Sequence, residues 1–326
     1  MPSYQKNNVQ QTGLSMNDVQ YIEISKEEDG QRLDNYLIRI LKGVPKSHIY
    51  RIIRGGEVRI NKKRAKPDTR LIAHDQVRIP PIRTSTVKEV FVGSRLEQQL
   101  EKCVLYEDEQ LLIVNKPSGI AVHGGSGLSL GLIEAFRKMR SDLHYLELVH
   151  RLDKETSGCL LLAKKRSALR ALQALFETRS IQKTYWAILA NPWVGKKTVT
   201  VDVALEKNTL KSGERVVRVH DEGKASQTFF RLLENFNQAC WVEAQPKTGR
   251  THQIRVHSAH LGHPIVGDDK YGNNVTKIDL STIKKRLYLH ARAIQFTLNG
   301  KDFHFEANLD TSFENTLTCL RSNHNG

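Results

Sequence analysis

Apolar residues follow two rhythms along this chain. Between residues 31 and 41 they fall at Leu33, Tyr36, Leu37, Ile40 and Leu41, the three-and-four spacing of one helix face. Gly43 stops that run, and Ser47 is placed to cap a second helix that turns Ile49, Ile52 and Ile53 inward and ends at Gly55-Gly56. Two short branched runs, 58–60 and 76–79, flank the basic turn Asn61-Lys-Lys-Arg64 and read as strands. Pro80-Pro81 closes this region. A polar linker at 84–102 follows, with a short helix expected near its end.

Beyond it the rhythm is mostly that of strands. Runs at 104–106 and 110–114 flank a turn at 107–109 and predict a hairpin, and a helix is expected over 129–140. Further strands are predicted at 145–149, 159–163 and 183–189. A helix over 167–179 would turn Leu169, Leu172, Leu175 and Phe176 inward. Runs at 198–204, 216–220, 226–234 and 239–245 suggest a mostly antiparallel sheet. Thr251 is placed to cap a helix ending at Gly262, and strands at 287–298 and 301–307 precede a short C-terminal helix. The fold class is therefore α+β: a small module of helices plus a short sheet, then a mixed, mainly antiparallel sheet domain. The predicted division is a flexible tail at 1–28, the small module at 29–83, a linker at 84–102, the large domain at 103–318 and a C-terminal tail at 319–326.

Composition narrows the classes. An apolar share of 39% supports a packed core, and no apolar run approaches the roughly 20 residues that cross a bilayer. Residues 1–19 are polar and carry no signal-peptide pattern. Cysteines 103, 159, 240 and 319 lie far apart with no Cys-x-x-Cys, which suits reduced thiols in a cytoplasm. The net charge of +15 favours a polyanionic partner. Its location says more: residues 30–83 hold fourteen Lys or Arg against four Asp or Glu. On the second helix Arg51 and Arg54 stand one turn apart, opposite the apolar face, and Lys62, Lys63 and Arg64 extend the patch. Such cations contact phosphates and supply affinity and register, not sequence choice.

One stretch carries candidate chemistry. His150-Arg151-Leu152-Asp153-Lys154-Glu155-Thr156-Ser157-Gly158 lies between two apolar runs, with Thr-Ser-Gly as turn chemistry. A carboxylate, an arginine and a histidine thus share a short connection between buried strands, a usual place for catalytic groups; a solvated charged turn reads equally from residue types alone. Strand alternation puts Tyr185 on a face that is either core or cleft. The glycine loop at 123–127 is followed by neither nucleotide-binding pattern, so a structural or RNA-contacting role is expected. Histidines 252, 257, 260 and 263 lack the spacing of a zinc site and read as hydrogen-bonding or RNA-facing.

His-Arg-Leu-Asp-x-x-Thr-Ser-Gly resembles the active-site signature of the RluA-type pseudouridine synthases. Asn115-Lys-Pro-Ser-Gly119, Lys183-Thr-Tyr185 and Gly249-Arg-Thr-His-Gln-Ile-Arg255-Val-His257 resemble that family's other motifs, in its order. The likeness spans about residues 104–310, and the basic module before it resembles the S4 RNA-binding domain. Together they look most like the RluC-like branch that acts on large-subunit ribosomal RNA. The resemblance implies isomerisation of uridine to pseudouridine in a flipped base, with neither cofactor nor metal. It implies Asp153 as the catalytic carboxylate, Arg255 paired with it, Tyr185 stacked on the base and Arg151 filling the vacated space. Lys116, Lys183 and the cations of the basic module would hold phosphates. Transfer RNA as substrate, or RNA binding without catalysis in ribosome assembly, are the alternative readings. A glycosidase using Asp153 with Glu155 accounts poorly for the basic module.

Overall fold

A computed structural model describes residues 18–41, 43–82, 93–124, 130–143, 145–209, 215–272 and 284–322. The chain divides into two units, the first ending at residue 91.

The first unit contains β1 (Gln20–Glu23), α1 (Leu33–Ile40), α2 (Lys46–Arg54), β2 (Arg59–Ile60), β3 (Lys63–Arg64) and β4 (Gln76–Ile79). The strands lie in the order β1-β4-β2-β3. Ile49, Ile52 and Ile53 of α2 pack with Leu33, Tyr36 and Leu37 of α1 and with Val77 and Ile79 of β4. Two expectations need correction here. The expected tail at 1–28 contains β1, which pairs antiparallel with β4, and Ile24 is fully buried; the alternation Tyr21-Ile22-Glu23-Ile24 is an edge strand. Ser47 is not a cap: α2 starts one residue earlier, after Pro45, whose fixed φ prepares the first turn. Residues 1–17 and 83–92, which take in most of the expected tail and the first part of the expected linker, lie outside the described residues.

The second unit begins with α3 (Ser94–Glu101), β5 (Val104–Glu107), β6 (Leu111–Lys116), α4 (Leu132–Met139), β7 (Glu147–Leu148), β8 (Ser157–Ala163) and α5 (Arg166–Glu177). It continues with β9 (Gln182–Ala190), β10 (Thr198–Asp202), β11 (Leu205–Thr209), β12 (Arg215–Val219), β13 (Gln227–Asn235) and β14 (Ala239–Pro246). Then come α6 (Gln253–His260), β15 (Leu289–Leu298), β16 (Lys301–Glu306) and α7 (Thr311–Ser322). One large sheet runs β10-β13-β14-β9-β15-β8-β6-β5, with β16 beside β15 and β7 beside β8. Its pairings are antiparallel except β8 with β15.

Every residue of β8 is buried. Leu160 and Leu162 pack with Leu100 of α3 and Phe136 of α4, while Leu161 and Ala163 pack with Leu172 of α5 and Phe296 of β15. A strand covered on both faces reads as a continuous apolar run, which is how this segment reads. At the other end of the sheet, Phe313, Leu317 and Leu320 of α7 pack with Ile188 of β9 and Val242 of β14. The linker and C-terminal tail boundaries therefore shift. Leu100 belongs to the core of the large unit, and α7 runs through Ser322 with Leu320 buried. The predicted strand at 216–220 does not join the large sheet; as β12 it forms a two-stranded ribbon with β11.

Candidate active site

The segment between β7 and β8 is fastened from several sides. Its neighbour is the turn after β6. Lys116 is fully buried, and its ammonium donates to the carbonyls of Pro117, Ile120 and Lys154 at 2.8–2.9 Å. Gly119 N–H donates to Lys154 O at 3.0 Å, and Ser118 Oγ donates to Glu155 O at 2.7 Å. Asn-Lys-Pro-Ser-Gly thus grips the two peptides that follow Asp153. On the other side His150 Nε2 accepts the Leu161 N–H at 3.1 Å and its ring lies over Phe176. Burial pushes the His150 imidazole down to about 3, so it is a neutral acceptor that ties the segment to β8.

Thr-Ser-Gly is not a turn. Ser157 and Gly158 open β8 itself, opposite His290 and Ala291 of β15. Ser157 Oγ lies 2.9 Å from His290 Nδ1, while His290 Nε2 lies 3.0 Å from Ala307 O. A carbonyl only accepts, so His290 carries its proton on Nε2 and accepts from Ser157 at Nδ1. Gly158 has φ +109, and a Cβ there would fall 2.6 Å from the Ala291 nitrogen. Small size and backbone freedom, not a reversal of the chain, explain the residue.

Asp153 keeps 26% of its side-chain exposure and faces the buried guanidinium of Arg255 and the imidazole of His252. Arg255 Nη1 stands 3.6 Å and His252 Nε2 3.7 Å from its Oδ2. Arg255 comes from α6, whose residues 253–258 are all buried. Its Nε and Nη2 form a two-pronged pair with the Asp268 carboxylate, both at 2.7 Å, and its guanidinium lies over the Tyr271 ring. Burial lowers the Arg255 pKa, but the Asp268 bonds and the charges of Asp268 and Asp153 raise it on balance. The arginine is thus held in plane by one carboxylate while its remaining nitrogen faces the other.

The predicted cap at Thr251 is replaced by His252, which has left-handed backbone (φ 53, ψ 21) and makes no capping bond. A non-glycine residue there costs about 1 kcal/mol or more. The turn directs the imidazole to Asp153 and to the Tyr271 hydroxyl, 2.7 Å from Nδ1. The remaining histidines serve elsewhere: His257 sits between the hydroxyls of Ser226 and Thr228, and His263 stacks on Trp193. Among the described residues no three metal-ligating side chains converge.

Tyr185 lies in the middle of β9, opposite Ala244 and Ala291, against two core clusters. Burial first, then the Asp153 charge, pushes its phenol well above the ordinary value. It is a neutral ring beside the carboxylate. Arg151 is exposed, next to buried Leu152.

The expected phosphate contacts divide. Arg51, Arg54, Lys62, Lys63 and Arg64 are exposed, although Arg64 also donates to Gly55 O and packs over Gly56. Lys116 must be withdrawn as a phosphate ligand, because three carbonyls surround its buried ammonium. Lys183 is half-buried, with Nζ over Phe176 and 3.5 Å from Thr248 O, so only part of its donor capacity faces outward. Of the glycine loop, residues 125–127 lie outside the described residues. Asp268 and Tyr271 are the site residues that periodicity did not find. The cue was the polar turn Gly267-Asp-Asp-Lys-Tyr-Gly272, which has the form of a tight structured turn.

The comparisons bear on both units. A family model described as RNA pseudouridylate synthase matches residues 110–260, and an S4 domain model matches residues 31–77. "Ribosomal large subunit pseudouridine synthase C" of Yersinia pestis is 51% identical over 310 residues, 94% of this chain and 97% of that protein. The protein of that name from Escherichia coli K12 is 49% identical over 311 residues, covering 93% and 97%. Among solved structures, "Human RNA Pseudouridylate Synthase Domain Containing 4" is similar with a TM-score of 0.58 and 30% identity, over 70% of this chain and 96% of that one.

Proposed function

The chain belongs to the RNA pseudouridylate synthase family, and from that premise we propose that it converts specific uridines of large-subunit ribosomal RNA to pseudouridine, with Asp153 as its catalytic carboxylate. The observation that carries the assignment is Asp153 itself. It is a partly open carboxylate on a segment clamped by a second motif, faced by an arginine whose orientation a buried aspartate holds. Relatives that match nearly the whole chain, S4 domain included, bear the large-subunit name.

The reaction is an isomerisation. The bond from C1′ to N1 breaks, the uracil turns in place, C5 bonds to C1′, and the C5 proton is lost to solvent as N1 gains one. A carboxylate serves this either as nucleophile or as base. The target base leaves its stack at a cost of a few kcal/mol. Tyr185 supplies a neutral ring against it, a contact worth roughly 1–3 kcal/mol per base. Burial and the Asp153 charge keep its phenol protonated, so it meets the base as a neutral ring and hydroxyl. Exposed Arg151 is free to enter the gap in the RNA. Arg51, Arg54, Lys62, Lys63 and Arg64 hold phosphates elsewhere on the substrate. No helix among the described residues is long and apolar enough to cross a membrane, and a cytoplasmic site of action fits the substrate.

The test is incubation with large-subunit and transfer RNA transcripts, followed by chemical labelling and primer extension. New pseudouridine in the ribosomal transcript is expected. Modification of transfer RNA alone would overturn the substrate, and binding without modification would favour a non-catalytic assembly factor. Asp153→Asn should abolish turnover and keep RNA affinity within about twofold.

A further inference from the structure

His252 approaches the same Asp153 oxygen as Arg255, and the positions of its protons follow from what surrounds it. The Tyr271 hydroxyl accepts the Val217 N–H of β12 at 3.0 Å and lies 2.7 Å from His252 Nδ1. A phenol has one proton to give. If Nδ1 carried a proton, the hydroxyl would accept twice and its own hydrogen would lack that acceptor. The bare Nε2 lone pair would then face an anion at 3.7 Å. If instead Tyr271 donates to Nδ1, every group is matched and Nε2–H faces the carboxylate. We propose that His252 is a positioning residue for Asp153: a neutral imidazole whose Nε2–H faces Oδ2, held in that tautomer by the Tyr271 hydroxyl.

The charged groups around the ring agree. Asp153 from the β7–β8 segment, Arg255 from α6, and Asp268, Lys270 and Tyr271 from the turn beyond it face His252. Burial, Arg255 and Lys270 disfavour a positive imidazole more than Asp153 and Asp268 favour it, so its pKa is lowered and the ring is neutral at pH 7. A neutral donor orients a carboxylate without cancelling the charge the reaction needs. Arg255 and His252 thus approach the same carboxylate oxygen, one as a cation and the other as a neutral donor. The ribbon β11–β12 then has a part in the site, because Val217 aims the hydroxyl that sets the tautomer.

This inference rests on the functional reading for its kinetic arm and not for its spectroscopic one. Gln is the informative replacement, since its side-chain nitrogen reaches about where Nε2 stands but has no tautomer to set. His252→Ala is expected to lower kcat on the order of 10- to 100-fold with KM changed less than about threefold. His252→Gln should recover most of that loss. Tyr271→Phe should lower kcat about tenfold in the natural background and cause no further loss in His252→Gln. A structural role for Tyr271, through Val217 or the ring under Arg255, would cost the same in both backgrounds and would overturn the proposal. So would an undiminished kcat in His252→Ala. Nitrogen NMR of histidine-labelled protein, with the His252 signals identified by their absence in His252→Gln, should show protonated Nε2 and bare Nδ1. The opposite tautomer, or a doubly protonated ring at pH 7, refutes the proposal whether or not the protein is active. A wild-type protein that makes no pseudouridine would count against the function alone.

Discussion

Asp153 has few partners of its own, and its setting is built by residues that never touch the reacting atoms. Asp268 is the most consequential. Its side chain is fully buried and holds two guanidinium nitrogens of Arg255, while its Oδ1 also accepts the N–H groups of Lys270 and Tyr271. Asp268→Ala strands a buried cation and two amides, a change of the kind that costs roughly 3–5 kcal/mol. Urea unfolding should show a loss in that range, with turnover falling further as Arg255 swings freely towards Asp153. A loss below about 1 kcal/mol would show that the pair is not buried in solution. Asp268 also marks where the sequence stopped being informative. Asp153, Arg255 and Tyr185 sit inside local motifs and could be named from them. Asp268 and Tyr271 lie in a polar turn without periodicity, and only the folded chain shows what they hold. Lys116 errs the other way: a lysine in a turn reads as a solvated cation, yet its three acceptors are backbone carbonyls, which no side-chain pattern reveals.

Strand positions were legible where a run was apolar, as in the Cys159–Ala163 stretch of β8, or alternated cleanly, as in β10. What pattern could not supply was pairing. Nothing in residues 215–219 says that β12 leaves the main sheet for a ribbon with β11, since register is set by partners distant in sequence. Nor does Thr-Ser-Gly announce that its glycine lies within a strand. The reason is local and steric: β8 pairs with β15 through Ser157 and Gly158, and Gly158 lets the Ala291 backbone approach. That contact joins the half of the sheet carrying Asp153 to the half carrying Tyr185. Gly158→Ala adds a Cβ in unfavourable backbone against main-chain atoms that cannot rotate away. The expected result is a destabilisation of about 3 kcal/mol or more by thermal or urea unfolding. Turnover should drop beyond the folded fraction lost, because Asp153 and Tyr185 no longer keep one spacing. Wild-type stability in this variant would mean that the two halves are joined some other way.

Acid should weaken the whole molecule before its carboxylates titrate. Burial lowers His150 to about 3 and His257 and His290 to about 4. The unfolded chain takes these protons near pH 6.5, where the folded protein refuses them. Their contribution is therefore complete above about pH 6.5 and is lost as pH falls from there towards 4 and 3, at up to about 1.4 kcal/mol per group per pH unit. Glu107, held down at about 2 by Arg140 and Lys164 against burial, acts lower, as pH drops below the ordinary carboxylate value. Lys116, brought to about 7 by burial, changes stability only above that. The urea midpoint should thus decline between pH 6.5 and 5, and His257→Gln should flatten the decline by about a third. A midpoint flat across that window would mean that these rings are charged in the fold.

Substrate binding tests the charge distribution in a different way, because phosphate contacts are counted by salt. Each neutralised phosphate releases counterions and steepens the fall of log K with log salt by roughly 0.7 to 0.9. Arg51, Arg54, Lys62 and Lys63 are exposed and tied into no ion pair among the described residues. Arg64 differs, since it bonds Gly55 O and covers Gly56, so its loss would disturb the turn after α2 as well as the charge. Replacing the first four with alanine while keeping Arg64 should leave the fold intact and reduce the salt slope for a ribosomal transcript by roughly 3. Asp153→Asn should leave that slope unchanged. If these four cations only solubilise the helix face, the quadruple variant will bind with the wild-type slope, and the concentration of charge in residues 30–83 will need another explanation. If they hold phosphates, affinity at low salt will fall steeply, while turnover at saturating RNA stays near the wild-type value because nothing around Asp153 has changed.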